Sequence, residues 1–180
     1  MEKVLMSTDQ YKLVKSIIPG KDEYREQLKG INLTDKHIEV TDGRMALRLR
    51  RDCLSLPDLR GVYKIISAVK FNKTFTELVI EKQEEAQYPD MDAIWPSVPR
   101  VDDCINIEIL PEKTALLSIS SAMVRLFKYT ESAFCHEYIA RLAALACCWK
   151  VYKSGKDKQA LFISECGRAE VVILPFKWEE

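Results

Sequence analysis

Residues 30–49 read Gly-Ile-Asn-Leu-Thr-Asp-Lys-His-Ile-Glu-Val-Thr-Asp-Gly-Arg-Met-Ala-Leu-Arg-Leu, and this stretch decides the fold of the chain. Apolar and polar residues alternate in three short runs, which is the pattern of half-buried β-strands. A polar turn separates the first two runs, and a tight Asp42-Gly43 corner separates the second run from the third. The stretch therefore predicts a small antiparallel meander.

The residues around the meander predict one helix and three more strands. The helix is capped by Ser7 or Thr8 and stopped by Pro19-Gly20. Apolar residues at helical spacing give it a buried stripe, formed by Leu13, Val14, Ile17 and Ile18. Alternation predicts the three strands at Met1–Met6, Gly61–Ser67 and Glu77–Lys82, with a looser segment over residues 68–76.

The second half of the chain follows an irregular linker over residues 88–100, where prolines stand at 89, 96 and 99. A second amphipathic helix is expected over Ser132–Cys148, with an apolar stripe that ends at Trp149. Alternation predicts strands at Cys104–Leu110, Ala115–Ser120, Met123–Tyr129, Gln159–Glu165 and Ala169–Pro175.

This order of elements indicates an α+β fold, in which two amphipathic helices pack on one face of antiparallel sheets. There is no alternating βαβ run, so we expect no parallel sheet. The chain divides either into two halves, 1–96 and 97–180, or forms one compact domain with an insertion at about 52–115.

Composition excludes several classes of protein. The 27 Lys and Arg residues balance the 27 Asp and Glu residues, which argues against tight, non-specific phosphate binding. No run of 18 apolar residues is present, and the N-terminus lacks the apolar core of a signal peptide, so we expect a cytoplasmic protein. The six cysteines lack zinc-site spacing, and we expect them to be buried, reduced thiols.

Catalytic motifs are absent from the sequence. There is no nucleophile elbow, phosphate loop, Gly-rich dinucleotide turn or His-Glu-x-x-His motif, and the chain has only two histidines. We therefore expect no enzyme activity, no cofactor and no metal site. The alternative is a small hydrolase or nuclease that holds a divalent metal with Asp42, Asp90 and Asp92.

Three segments, in order along the chain, resemble the β subunit of bacterial DNA polymerase III, the sliding clamp. Thr8–Leu49 ends in Val-Thr-Asp-Gly-Arg-Met-Ala-Leu-Arg-Leu, which is similar to the family's Thr-Asp-Gly-His-Arg-Leu-Ala corner. Tyr88–Pro96 is similar to the interdomain Phe-Pro-Asp segment. Tyr138–Phe176 ends in Val-Val-Ile-Leu-Pro-Phe and resembles the clamp's last helix, strands and Val-Met-Pro-Met tail. The resemblance implies a DNA-clamp-like fold.

In that family the three segments form one hydrophobic pocket, which receives a short linear peptide from polymerases, the clamp loader and repair proteins. Such a peptide needs a concave apolar site for its anchors and a rim group, here Arg44, that orients it. The resemblance implies a pocket formed by Thr41, Gly43, Arg44, Met45, Pro89, Ile94, Val172, Leu174 and Pro175. The alternative is that its apolar members are core residues of a sheet: Met45, Ile94, Val172 and Leu174.

The polar faces of clamp helices meet the DNA duplex. The resemblance implies DNA contact by four cations, two on each predicted helix: Lys12, Lys15, Arg141 and Lys150. So few cations in one copy predict weak, salt-sensitive binding of double-stranded DNA. A denser run of arginines at 44, 48, 50 and 51 either binds phosphate or forms a solvated strand face.

Taken with the residues, the resemblance implies a non-enzymatic protein associated with DNA replication. Its expected partners are replication proteins that carry a clamp-binding peptide, with DNA bound weakly by a homo-oligomer and no membrane partner. A second hypothesis is a clamp-derived decoy on a mobile element, which competes with the host clamp for its partners.

Overall fold

The computed structural model describes residues 1–51, 58–96, 104–110, 115–145 and 148–176. The chain forms two compact units, Met1–Met91 and Asp92–Glu180. In the described residues, no helix is both long enough and apolar enough to cross a membrane.

Unit 1 is an antiparallel sheet with one helix packed against it. Its strands lie in the order β1-β6-β5-β2-β3-β4, and each neighbouring pair is antiparallel. A 3-10 turn at Glu26–Lys29 leads into β2. The elements are β1 (Glu2–Ser7), α1 (Thr8–Ile17), β2 (Gly30–Leu33), β3 (His37–Thr41), β4 (Met45–Arg50), β5 (Gly61–Lys70) and β6 (Phe75–Lys82).

Helix α1 begins after Ser7, one of the two N-caps that the sequence predicts, and Ser7 forms a capping box with Gln10. The Ser7 hydroxyl accepts a hydrogen bond from the Gln10 amide at 3.2 Å, and the Gln10 side chain accepts one from the Ser7 amide at 3.3 Å. Two amide groups at the start of the helix are thereby satisfied. The helix buries Leu13, Val14 and Ile17 and ends before Pro19-Gly20.

The predicted meander is confirmed as β2, β3 and β4. Asn32 pairs with Glu39 across the first turn, and Thr41 pairs with Ala46 across the corner. Apolar residues of these strands form much of the core of the unit, including Ile31, Leu33, Ile38, Val40, Met45, Leu47 and Leu49. Because side chains alternate between the two faces of a strand, this burial fixes the register of the meander.

A buried polar network lies inside the meander. Glu39 on β3 is directly opposite Arg48 on β4, and the Arg48 Nε donates to the Glu39 carboxylate at 2.9 Å. The Asn32 amide donates to the other carboxylate oxygen at 2.8 Å. Both charged residues are buried. The prediction that Arg48 belongs to a solvated or phosphate-binding arginine run is therefore wrong.

The side chain of Arg51, from the same run of arginines, also forms hydrogen bonds within the fold. Its Nη1 donates to the backbone carbonyls of Thr34, at 2.6 Å, and Leu59, at 2.7 Å. The sequence pattern misleads here because a cation alternating with apolar residues has the same spacing whether its face is solvated or buried.

We predict that Arg48→Met destabilises the protein by about 3 kcal/mol or more, because it leaves the Glu39 carboxylate buried without its cation. Arg44→Met, at an exposed position of the neighbouring corner, is the matched control and should change stability by less than about 0.5 kcal/mol. Urea unfolding followed by circular dichroism measures both. Equal midpoints for the two variants would show that the buried pair contributes little.

The β5–β6 hairpin is longer than the sequence suggests. Pairing continues to Lys70 and Thr76, so most of the segment expected to be loose is part of the strands. The far end of the hairpin exposes large apolar side chains on β5, β6 and the turn: Ile66, Val69, Phe71 and Phe75. Backbone pairing, rather than burial of side chains, stabilises this end of the hairpin. The apolar pattern of the sequence therefore did not predict that the strands extend so far.

Unit 2 has its strands in the order β10-β9-β8-β7, all antiparallel between neighbours. A 3-10 turn at Leu142–Leu145 follows its last helix. The remaining elements, with a short helix in the predicted linker, are α2 (Met91–Ile94), β7 (Ile105–Glu108), α3 (Ala115–Thr130), α4 (His136–Arg141), β8 (Cys148–Lys153), β9 (Ala160–Ser164) and β10 (Ala169–Ile173).

Helix α3 replaces two predicted strands. The strands expected at Ala115–Ser120 and Met123–Tyr129 are wrong, because residues 115–130 form one continuous helix. The buried apolar side chains described in α3 are Ile119, Ala122 and Leu126. Their spacing of three and four residues is the helical period, which local alternation such as Leu-Ser-Ile-Ser concealed.

The predicted helix over Ser132–Cys148 is also corrected. Only His136–Arg141 is α-helical, and β8 begins at Cys148. Trp149, expected at the end of the helical stripe, is a completely buried strand residue paired with Ile107 and Ser164. Strands β9 and β10 confirm the predicted hairpin that closes the chain.

The cysteines only partly follow expectation. Cys104, Cys135, Cys148 and Cys166 are thiols that form no disulfide, and the first three are half-buried while Cys166 is exposed. The prediction of full burial is thus wrong for these four residues. Cys53 and Cys147 lie outside the described residues.

Candidate functional site

The corner between β3 and β4 is a closed hydrogen-bonded turn. The Asp42 Oδ1 accepts hydrogen bonds from the amides of Arg44, at 2.9 Å, and Met45, at 2.8 Å. The Thr41 hydroxyl donates to the Met45 carbonyl at 2.9 Å and accepts from the Gly43 amide at 3.0 Å. Gly43 has φ of 89°, in the left-handed region that favours glycine. These contacts explain why Thr-Asp-Gly stands at this position.

Tyr88 ties a distant segment to this corner, and the sequence analysis did not assign it a role. The Thr41 amide donates to the Tyr88 hydroxyl at 2.9 Å. Burial raises the pKa of this phenol well above its usual value, and the nearby Glu39 charge acts in the same direction, whereas the hydrogen bond from Thr41 opposes them. Pro89, which follows Tyr88, is exposed. The tyrosine therefore fixes the position of Pro89 relative to the corner.

Arg25 is a second residue that sequence reasoning missed. Its guanidinium binds the Glu23 carboxylate through Nε and Nη2, both at 2.9 Å, and holds the pKa of Glu23 at about 2. A Cβ placed on Gly43 would lie 3.3 Å from the Arg25 Nη1. With the exposed Arg44, Arg25 gives this corner two cations. The spacing of residues 21–27 gave no indication that Arg25 lies close to Gly43.

The predicted pocket residues of unit 1 divide into surface and core. Gly43, Arg44 and Pro89 are exposed, whereas Thr41 and Met45 are buried. Met45 has no exposed surface, so the alternative given above, a core residue, describes this position.

The predicted pocket residues of unit 2 divide in the same way. Val172 is buried in β10, Pro175 is half-buried, and Ile94 and Leu174 are 39% and 42% exposed. The Trp95 Nε1 donates to the Glu170 carboxylate at 2.9 Å, which ties the segment after Ile94 to β10. Ile94 and Leu174 are thus large apolar side chains open to solvent. The complete pocket stays a prediction.

The predicted DNA-binding cations have four different environments. Lys15 is exposed on α1, and the exposed Lys12 forms an ion pair with Asp9 at 2.9 Å. The Arg141 guanidinium lies 4.7 Å from the centroid of the Tyr138 ring, at the end of α4. Lys150 is exposed but belongs to strand β8, so its predicted place on a helix is wrong.

The part of the chain that is described offers no set of metal-binding side chains for the alternative of a metal-dependent hydrolase or nuclease. Asp42 uses its carboxylate oxygen to close the corner. Among the described residues, no group of three or more His, Cys, Asp or Glu side chains is arranged to hold a metal ion.

Comparison with known proteins gives a consistent class of fold. No family model matches the sequence, and no curated protein matches it. Among solved structures, the DNA polymerase III subunit beta of Pseudomonas aeruginosa has a TM-score of 0.59 at 12% identity, covering 99% of this chain and 66% of that chain.

Two further bacterial clamps give the same result. The DNA polymerase III subunit beta of Borrelia burgdorferi, in complex with a natural product, has a TM-score of 0.56 at 10% identity, covering 99% of this chain and 65% of that one. The DnaN sliding clamp of Bartonella birtlesii, bound to griselimycin, has a TM-score of 0.54 at 13% identity, covering 98% and 66%.

The chain therefore has an α+β fold of the DNA sliding-clamp class, as predicted. The three structures compared above are beta clamps of bacterial DNA polymerase III. The chain spans about 65% of the length of the first of these structures.

We predict that Tyr88→Phe destabilises the protein by about 1–2 kcal/mol, because the Thr41 amide loses its acceptor. Tyr24→Phe is the control, since Tyr24 is highly exposed, and it should leave the urea midpoint unchanged.

The same pair of variants tests the raised pKa of Tyr88. The folded state keeps the phenol protonated, while the unfolded state releases the proton from about pH 10. The Tyr88 contribution is therefore complete below pH 10 and declines as the pH rises above it. We expect the stability difference between wild type and Tyr88→Phe to shrink between about pH 10 and 11. A difference independent of pH would contradict the assignment.

Proposed function

We propose that this chain is a non-enzymatic, clamp-like protein associated with DNA replication, which binds a linear peptide of replication proteins. The observation that carries the proposal is the sliding-clamp fold, matched over 99% of the chain. It is supported by the Thr-Asp-Gly corner, which is the closed turn at the predicted pocket.

The surface chemistry at the corner supports capture of a peptide. Gly43 has no side chain and is exposed, so a ligand can approach the turn closely. Arg44 places positive charge beside it, which suits backbone carbonyls or a carboxylate of the ligand. In unit 2, Ile94 and Leu174 offer exposed apolar surface for peptide anchors.

The decisive residues are those that are both predicted and exposed. We predict that Leu174→Asp and Ile94→Asp each weaken binding of a fluorescein-labelled clamp-binding peptide at least about tenfold, because a carboxylate replaces an apolar contact. Fluorescence anisotropy measures the dissociation constants. Both side chains are partly solvated, so the fold should survive, and circular dichroism checks this.

Leu117→Asp is the matched control for these variants. Leu117 is 78% exposed in unit 2 but does not belong to the predicted pocket. Peptide affinity should be unchanged by it. The proposal fails if the wild type does not bind the peptide, or if all three variants bind it equally well.

We further propose weak binding of double-stranded DNA through exposed lysines of α1. Lys12→Glu/Lys15→Glu should reduce the slope of log affinity against log salt concentration by about 2, since each lysine releases about one counterion. Lys70→Glu/Lys73→Glu removes the same charge from the β5–β6 hairpin and should not change the slope. Equal effects of the two double variants would indicate a general charge effect.

Oligomerisation is the remaining part of the proposal. A DNA clamp needs a closed assembly, and closure requires subunits that pair with a fixed symmetry. Native mass spectrometry, with and without duplex DNA, distinguishes an oligomer from a monomer. A monomer that binds the clamp peptide would instead act as a competitor for clamp partners.

A further inference from the structure

Unit 2 contains an apolar groove that shares no residue with the predicted peptide pocket. The groove has a volume of about 300 Å³ and lies between the end of α3 and residues 132–134. Its lining is almost entirely apolar and includes Met123, Val124, Phe127, Lys128, Ala133 and Phe134. This volume lies at the lower end of the range that is typical of ligand sites.

The floor and wall of the groove are held rigidly. Phe134 is buried, and its ring meets Phe162 edge-to-face with centroids 6.4 Å apart. The Ser132 hydroxyl accepts from the Asp157 amide at 2.9 Å. The Phe176 amide donates to the Ala133 carbonyl at 2.7 Å. Contacts on both sides of the 132–134 segment therefore preform the groove before any ligand arrives.

The rim exposes large apolar side chains to solvent. Val124 and Phe127 are 55% and 58% exposed, although both lie on a helix whose opposite face is buried in the unit. Apolar residues that surround a concave site are typical of surfaces that bind a partner.

Helix α3 and the segment up to Phe134, which line the groove, carry more cations than acidic residues. Residues 115–134 carry two cations, Arg125 and Lys128, against one acidic residue, Glu131. Lys128 lines the groove, and Arg125 lies one helical turn before it. Within the described part of the chain, neither cation has an ion-pair partner. Lys153 also lies against α3, with its Nζ 4.9 Å from the centroid of the Tyr129 ring.

We propose that this groove binds a linear segment of another protein in which large apolar side chains are followed by Asp or Glu. The apolar side chains fill the space over Phe134 and between Val124 and Phe127. The carboxylates pair with Lys128 and Arg125. The match of an apolar anchor with a cationic rim determines the direction in which the segment lies.

Two other occupants fit these observations less well. The exposed apolar residues of the β5–β6 hairpin come with Lys70 and Lys73, and residues 61–76 contain no acidic side chain, so a second copy would bring like charges together. A membrane surface needs a flat amphipathic face with many cations, whereas this site is concave and has few.

The test uses the full-length chain and two labelled synthetic peptides, Gly-Ser-Leu-Asp-Phe-Phe-Glu-Asp-Glu-Gly and its twin with Asn and Gln in place of Asp and Glu. Fluorescence anisotropy should show at least tenfold tighter binding of the acidic peptide. Phe127→Ser and Lys128→Glu should each weaken that binding at least tenfold. Leu117→Ser is the matched control on the same helix, outside the groove lining, and should bind as the wild type does.

Several results would overturn the proposal. Equal affinity for the two peptides would indicate non-specific apolar adsorption, and equal loss with Leu117→Ser and Phe127→Ser would indicate a general effect of α3. Absence of acidic-peptide binding would also exclude it. If sedimentation shows a wild-type dimer that Phe127→Ser dissociates, the occupant is a second copy of the chain. If vesicles of phosphatidylcholine and phosphatidylserine are bound while the acidic peptide is not, the occupant is a membrane.

The test of the groove can be distinguished from the test of the proposed replication role. Leu174→Asp removes an exposed residue of the predicted pocket and leaves the groove lining intact. That variant should bind the acidic peptide normally while losing the clamp-binding peptide. Loss of both peptides in Leu174→Asp would show that the two sites are not independent.

Discussion

The reversal of the chain between Thr41 and Met45 is the constraint on which unit 1 depends. The Asp42 carboxylate and the Thr41 hydroxyl satisfy the amides of the turn, and Gly43 supplies a backbone conformation that other residues rarely adopt. A turn of fixed length sets which residues of β3 and β4 are opposite each other. It thereby places Glu39 across from Arg48, so that the buried charges can pair. A shift by one residue would move the core residues of a strand to the face that holds Glu39 and Arg48.

The corner also links the fold to the proposed function. Its hydrogen bonds are internal, so the exposed Gly43 and Arg44 are held in place without needing a ligand. Tyr88 extends this order to Pro89, 48 positions after the start of the corner. Preorganised positions of this kind reduce the entropy that is lost when a peptide binds. Rigidity at the corner is therefore relevant both to stability and to the proposed recognition.

The parts of the fold that local chemistry determines were predictable from the sequence. The N-terminal end of α1, the meander and the β9–β10 hairpin have capping or turn residues and periodicity that point to one structure. Helix α3 was mistaken for strands because short polar and apolar alternation at 117–120 also fits one turn of a helix. Arg48 and Tyr88 could not be assigned, because their roles depend on partners at positions 39 and 41 that only the fold brings close. The groove beside α3 was missed for the same reason, since it arises from the packing of α3 against residues 132–134.

The far end of the β5–β6 hairpin has a consequence for how the protein behaves in concentrated solution. Its apolar residues are interrupted by Lys70 and Lys73, which act as gatekeepers against stacking of strands between molecules. The isoelectric point is about 6.7, so long-range repulsion between molecules vanishes near that pH. Colloidal stability there rests on such local lysines, and chemical acetylation of them would favour precipitation even though the fold is intact.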